Sequence, residues 1–198
     1  APARREDDPP DPRSWYGNSK REGELANIAD GGAITRRVFL RPGALYGPAD
    51  RAFLAYFKLV RLRLKPQLGD GLRRFQILYG PDVADAALCA LRAPAGEPRA
   101  YYIVPPEPET YRSFGAAIER AMGRRALTVR APAFLLHPDR LARIPGLAAV
   151  ADRFHDFHAL RWHSDPSRAR EELGWTASTP LESGLKLTWD WYRANRWA

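Results

Sequence analysis

Short β-leaning runs cut off by proline and glycine alternate with capped helical stretches, and that alternation narrows the folds open to this chain more than any other feature. Thr35 to Leu40 reads as a buried strand stopped by Pro42-Gly43, Phe75 to Tyr79 as a second strand, and Ala100 to Val104 as a third closed by Pro105-Pro106. Between them, Ser14 can cap a helix running to about Ala29 and ended by Asp30-Gly31-Gly32, while Ala52 to Leu64 and Asp82 to Leu91 show helical spacing. Thr110 caps a further helix to about Met122 with Gly123 as its stop, and Ala126 to Arg130 is a short strand. The stretch from Pro132 to Leu160 is mostly helical with breaks at Pro138 and Pro145. Asp165 then caps a short helix with Pro166 in its first turn and Gly174 at its end, and Thr179-Pro180 opens the last helix. Alternation of this kind predicts an α/β fold with a helix-rich second lobe, the two lobes interleaving along the chain. Residues 1–13 read as an extended arm. With 198 residues, 45% of them hydrophobic, the chain can bury a real core.

Composition removes several classes of function. No stretch approaches the ~20 apolar residues of a membrane span, and the charged, proline-rich start (Arg4 to Pro10) is unlike a signal peptide. One cysteine, Cys89, set among Ala87, Leu88 and Leu91, suits a reducing cytosol and reads as apolar filler. A cytoplasmic protein without a membrane partner is expected. The formal charge of +8 raises the question of nucleic acid, but arginine is scattered among Glu and Asp with no basic run, and lysine occurs only at positions 20, 58, 65 and 186. The expectation is no nucleic-acid partner, with a site for an anionic small molecule as the alternative use of that charge.

The chemistry-bearing pattern is Trp15-Tyr16-Gly17-Asn18-Ser19-Lys20. A tyrosine and a lysine four apart share one helical face, so an ammonium can sit beside a phenol. A free phenol, with a pKa of about 10, is a poor base at neutral pH, and a neighbouring cation favours its phenolate. The bland alternative is an exposed lysine beside a packed tyrosine. His155, His158 and His163 lie near Asp152 and Asp156, but no cysteine joins them, and a solvated cluster rather than a metal site is expected. Asp82 reads as a helix cap, and Trp175, Trp189, Trp191 and Trp197 as packing of the closing segment.

Four ordered motifs carry a resemblance. The run Asp11 to Glu24, which contains the Tyr16/Lys20 pair, resembles the catalytic helix of the extended short-chain dehydrogenases/reductases, the NAD-dependent epimerase/dehydratase family. Leu40-Arg41-Pro42-Gly43-Ala44-Leu45-Tyr46-Gly47-Pro48 is similar to the loop bordering the nicotinamide. Leu68-Gly69-Asp70-Gly71 with Asp82-Val83-Ala84-Asp85-Ala86 is similar to the substrate-loop strand and following helix. Asp165 to Trp175 resembles the C-terminal signature, and Leu181 to Tyr192 the closing helix.

The resemblance implies the C-terminal part of a Rossmann-like parallel sheet with an interleaved, helix-rich substrate-binding lobe. Residues 1–50 and 75–104 would form the partial Rossmann-like domain, and 51–74 and 105–198 the substrate lobe. The family's glycine-rich βαβ unit and its catalytic Ser or Thr have no counterpart in this sequence. By resemblance Tyr16 is the general acid/base and Lys20 its partner. NAD or NADP would be held by Tyr16, Lys20, Leu40, Pro42, Gly43 and Ala44, and substrate by Arg41, Arg73 and Arg74. The implied reaction is NAD(P)-dependent redox at a secondary alcohol or ketone, most commonly epimerisation or dehydration of a sugar or sugar nucleotide. A ketone or aldehyde reductase of hydroxysteroid or flavonol-reductase type is the alternative, and a non-catalytic, anion-binding fragment is a third. A homodimer through the catalytic helix is a further expectation of the resemblance.

Overall fold

A computed structural model describes residues 2–12, 14–30, 37–93, 97–131, 143 and 163–198. The expected solvated cluster at His155 and His158 and the helical stretch from Pro132 to Leu160 fall almost wholly outside these residues.

The first helix, α1 (Trp15–Ala29), begins where expected because the Ser14 hydroxyl accepts the Gly17 N–H at 2.9 Å. Strand β1 (Val38–Pro42) pairs in parallel with β6 (Arg99–Ile103), from Val38 opposite Arg99 to Pro42 opposite Ile103. At Gly43 the chain changes partners. The Gly43 N–H donates to Ile103 O at 3.2 Å, the Ala44 N–H donates to Gln76 O at 3.1 Å, and β2 (Ala44–Tyr46) continues alongside β5 (Ile77–Tyr79). Pro42-Gly43 is therefore a handover between two strand pairs rather than the end of a strand. Glycine is required there: a Cβ at position 43 would lie 2.8 Å from Gln76 O.

Helix α2 (Leu54–Arg61) is shorter than its pattern, because Arg63 adopts a left-handed φ of 62° and Leu64 opens a strand, β3 (Leu64–Leu68), parallel to β8 (Leu127–Ala131). The expected strand from Phe75 to Tyr79 is split. Arg74–Phe75 (β4) pairs antiparallel with β7 (Glu109–Thr110), and Gln76 interrupts before β5. Helix α3 (Gly80–Ala90) follows β5 directly. In α4 (Tyr111–Met122), Thr110 and Ser113 form a reciprocal capping box, and Gly123 at φ 61° ends the helix. Helices α5 (Ser167–Leu173), closed by Gly174 at φ 65°, and α6 (Leu181–Ala194) complete the described elements.

Two apolar clusters meet across β5, whose three residues are all buried. Ile77 and Tyr79 point into a large cluster with Phe57, Phe75, Phe114, Leu185, Trp189 and Tyr192; Leu78 points into a smaller one with Tyr101, Ile103, Ala169 and Trp175. The large cluster is built on aromatic pairs. Trp189 stacks on Phe57 with centroids 6.1 Å apart, and Phe114 meets Phe53, Tyr56 and Phe75 edge-on. Cys89 is half-buried against the smaller cluster.

Polar clips join the clusters. Buried Gln76 donates to Pro105 O (2.8 Å) and Ser164 O (3.0 Å) and accepts the Ser164 N–H (2.6 Å). Asp82 does not cap its own helix. Its carboxylate accepts the Thr179 hydroxyl at 2.6 Å and the Thr179 N–H at 3.1 Å, so Thr179 is likewise taken from the capping role it seemed suited to in α6. Glu172 accepts Tyr101 Oη (2.8 Å) and Arg99 Nη1 (2.5 Å), fixing α5 to β6. The N-terminal arm is held by Glu6, which accepts the Tyr102 N–H at 2.8 Å, by pairing of Arg4 with Ser164, and by ion pairs from Arg168 to Glu6 and Asp7.

Candidate active site

Helix α1 carries the Tyr16/Lys20 pair and buries none of its residues. Its N-terminus is anchored by Ser14, itself fully buried, and by the arm: a Cβ at Gly17 would lie 3.1 Å from Ser14 Oγ and 3.2 Å from Pro12 Cβ. One turn along, the Lys20 ammonium stands 5.4 Å from the centre of the Tyr16 ring, and Tyr16 is 61% exposed. The i,i+4 spacing thus does what the sequence suggests, placing cation and phenol together at a solvent-facing position.

Other tyrosines are differently placed. Tyr46, Tyr56 and Tyr192 donate to the backbone carbonyls of Leu181, Pro66 and Asp50, and burial pushes each phenol well above its ordinary pKa. Burial does the same for Tyr111. These are structural groups, locked in their neutral form.

The remaining candidates divide. Leu40, Pro42, Gly43 and Ala44 lie at the C-terminal end of β1 and its handover to β2, the end of a parallel sheet where ligands of α/β folds are received. Arg41 is already engaged: Nε and Nη2 meet Glu24 Oε1 and Oε2 at 2.9 and 2.5 Å, and the guanidinium lies 5.9 Å from the Tyr102 ring centre. Both side chains of this fork are about three-quarters buried. Glu24 had no role assigned from sequence; its partner lies 17 residues on, across an undescribed connection, and nothing local signals it.

Arg73 precedes β4 and Arg74 opens it, and both are exposed. Their loop is latched to α4: Gly71 O and Arg73 O accept the N–H groups of Arg112 and Tyr111, and Arg112 Nη2 donates to Asp70 O. Among the described residues β1 pairs with β6 alone, and α1 is tied to β1 through Glu24 and Arg41.

Residues 1–103 match the NAD dependent epimerase/dehydratase family. The chain belongs to that family. Among curated relatives it is 27% identical over 206 residues to the 3beta-hydroxysteroid-dehydrogenase/decarboxylase isoform 1 of Arabidopsis thaliana, covering 92% of this chain and 46% of that protein. Solved structures with the same fold include the UDP-glucuronic acid 4-epimerase of Bacillus cereus in complex with NAD (TM-score 0.74, 22% identity, 98% of this chain and 57% of that one). The UDP-glucose 4-epimerase of Thermotoga maritima with UDP-glucose is similar (TM-score 0.72, 24% identity, 99% and 59%). The chain thus spans about half the length of the relatives it matches.

For a family of NAD-dependent enzymes, the residues present fit one side of a dinucleotide site. Tyr16 and Lys20 are solvent-facing, and Pro42 to Ala44 lie where β1 hands over from β6 to β5. No G-x-G-x-x-G phosphate loop occurs in the sequence. Among the described residues no cluster of His, Cys, Asp or Glu could hold a metal, and no helix is long and apolar enough to cross a membrane.

Proposed function

We propose that this chain is the proton-transfer and substrate-side half of an NAD(P)-dependent oxidoreductase of epimerase/dehydratase type, acting on a secondary alcohol or ketone of a sugar derivative. The observation that carries the reading is the Tyr16/Lys20 pair, 5.4 Å apart on a helix that buries nothing, in a chain of this family. In this reading residues 1–50 and 75–104 belong to the dinucleotide-side domain and 51–74 and 105–198 to the substrate lobe. A βαβ unit carrying the phosphate loop docks beside β1 and on α1.

Tyr16 Oη takes the proton of the substrate hydroxyl, or returns it to a carbonyl oxygen. Lys20 keeps a positive charge beside the phenol throughout. Bound NAD(P) supplies the hydride acceptor and donor. Glu24 and Arg41 set where α1 lies along β1: Tyr16 is two helical turns, ~12 Å, from Glu24. Arg41 is then a positioning group, and Arg73 and Arg74, exposed at the start of β4, meet an anionic part of the substrate. Trp15 lies half a helical revolution from Glu24, on the face away from β1, and is 80% exposed, which supports a homodimer contact there.

The test is turnover by the chain joined to its dinucleotide-binding unit, with Tyr16→Phe. Loss of 10²–10⁴-fold in kcat with unchanged thermal stability is expected. Activity within threefold of the parent removes Tyr16 from the chemistry. The extent of the match to the hydroxysteroid dehydrogenase/decarboxylase favours a second reading, a simple alcohol dehydrogenase or ketone reductase. Net consumption of dinucleotide separates them, since an epimerase regenerates what it uses.

A further inference from the structure

The C-terminal ends of α2 and α6 converge on a cleft of about 500 Å³ far along the chain from Tyr16. Lys58, Arg61 and Leu62 line it from α2; Arg193, Arg196, Trp197 and Ala198 line it from α6 and the turn beyond. None of its lining side chains is acidic. Elsewhere Arg5, Arg41, Lys65, Arg99, Arg120, Arg168 and Lys186 each pair with a carboxylate, although other surface arginines do not. The four cleft cations pair with none among the described residues. An α-carboxylate at Ala198 would cancel one charge and leave three.

A simpler account is that cations near a helix C-terminus complement its dipole, at ~0.3–1 kcal/mol each. It covers Lys58 and Arg61 in the last turn of α2 and Arg193 in that of α6. It does not explain why both ends face one cleft, or why a fourth cation, Arg196, occupies the left-handed position (φ 58°) of the Schellman turn that ends α6, where glycine is usual. The wall is also rigid. Trp197 stacks on Tyr192 (6.0 Å, 11°) and meets Trp191 edge-on (4.9 Å), while Arg51 stands 5.5 Å from the Trp197 ring centre. Like charges gathered this way repel one another and are relieved by a multivalent anion.

We propose that this cleft binds a small oligophosphate, pyrophosphate or longer, through Lys58, Arg61, Arg193 and Arg196. Guanidinium groups take phosphate oxygens in pairs. The Trp197 ring is already engaged by Tyr192 and Arg51, so recognition rests on phosphate rather than on stacking a base. The cations form a compact cluster and not a stripe, which favours a small anion over a nucleic-acid backbone. The site lies outside the proposed catalytic residues and stands or falls without them.

Calorimetric titration of the 198-residue chain with tripolyphosphate at 50 mM salt tests it, with ATP and a DNA duplex as parallel ligands. One saturable site is expected, weakened at least tenfold by Arg193→Gln with Arg196→Gln, and likewise by Lys58→Gln with Arg61→Gln. The charge-matched control, Arg21→Gln with Arg92→Gln, should change affinity less than twofold. All six side chains are exposed, and an unchanged thermal melt verifies that each variant folds. Equal binding of ATP places the phosphates on a nucleotide tail, tripolyphosphate alone places them free, and either supports the site. No saturable binding, equal weakening by the control pair, or preferential binding of the duplex overturns it.

Discussion

Replacing Glu24 with glutamine should release α1 from the body of the protein without unfolding the rest. The helix buries no residue, and isolated 15-residue helices are marginal in water, so its attachment rests on the Ser14 cap, the arm beside Gly17 and the Glu24–Arg41 fork. That fork lies between two measured regimes. Exposed ion pairs contribute ~0–1 kcal/mol, and breaking a fully buried one costs ~3–5 kcal/mol. With each side chain about one quarter exposed and the geometry bidentate, ~2 kcal/mol is the expected cost. This corresponds to about a 30-fold rise in the population in which α1 has detached. Hydrogen exchange reads this directly. Amides in the middle of α1 should lose about 30-fold protection in Glu24→Gln, while those of α4 around Phe114, fully buried and capped at both ends, keep theirs. Glu24→Arg combined with Arg41→Glu should recover part of the loss. Unchanged exchange in α1 would show that the fork is incidental, and equal loss in α4 would show that it stabilises the whole domain instead.

Gly184→Ala should lower stability by ~1–3 kcal/mol, because a Cβ there falls 2.3 Å from Tyr46 Oη and 3.0 Å from Cζ of the same ring; Tyr46→Phe should restore part of it, and additive losses in chemical denaturation would refute the clash. Acid should weaken the fold through Glu119 and Glu172. Burial alone would raise both carboxyls, but Lys65 and the Ala126 N–H hold Glu119 below the ordinary range, and Tyr101 and Arg99 do the same for Glu172. A lowered folded pKa means stability that is fully present above the unfolded value of about 4.3 and lost as pH falls through the lower one. Urea midpoints should therefore drop below pH 4.3, and Glu119→Gln, destabilised at pH 7, should approach the parent protein near pH 3; a constant gap between them would refute the assignment.

What could be read in the sequence was local. The Thr110 cap and the Gly123 stop each act within a few residues of themselves, and α4 begins and ends where they say. Helix α2 ran too long in the pattern because no glycine marks the turn at Arg63, whose left-handed backbone is imposed by the start of β3. Gln76 splits an apparently continuous strand by bonding to Pro105 and Ser164, the latter 88 residues away. Thr179 has the look of a cap, but Asp82, 97 residues earlier, claims its side chain. Arg41 offered a guanidinium to substrate on paper, and only the folded chain shows Glu24 already holding it. Spacing along a helix predicts neighbours; it cannot say which distant carboxylate closes on which cation.

These long-range clips share a location. Gln76–Ser164, Asp82–Thr179 and Glu172–Arg99/Tyr101 each cross a seam between elements whose apolar faces are already packed, so they fix registry where burial alone leaves freedom. Glu24–Arg41 is the exception, since the helix it holds buries none of its residues. Yet α1 carries Trp15, Leu25 and Ile28, exposed on more than one side. A helix with its N-cap satisfied and apolar side chains presented in several directions is built to be covered from several directions. The proposed catalytic pair stands on a helix that buries none of its residues. On the proposed function, covering α1 and assembling the active site would be one event.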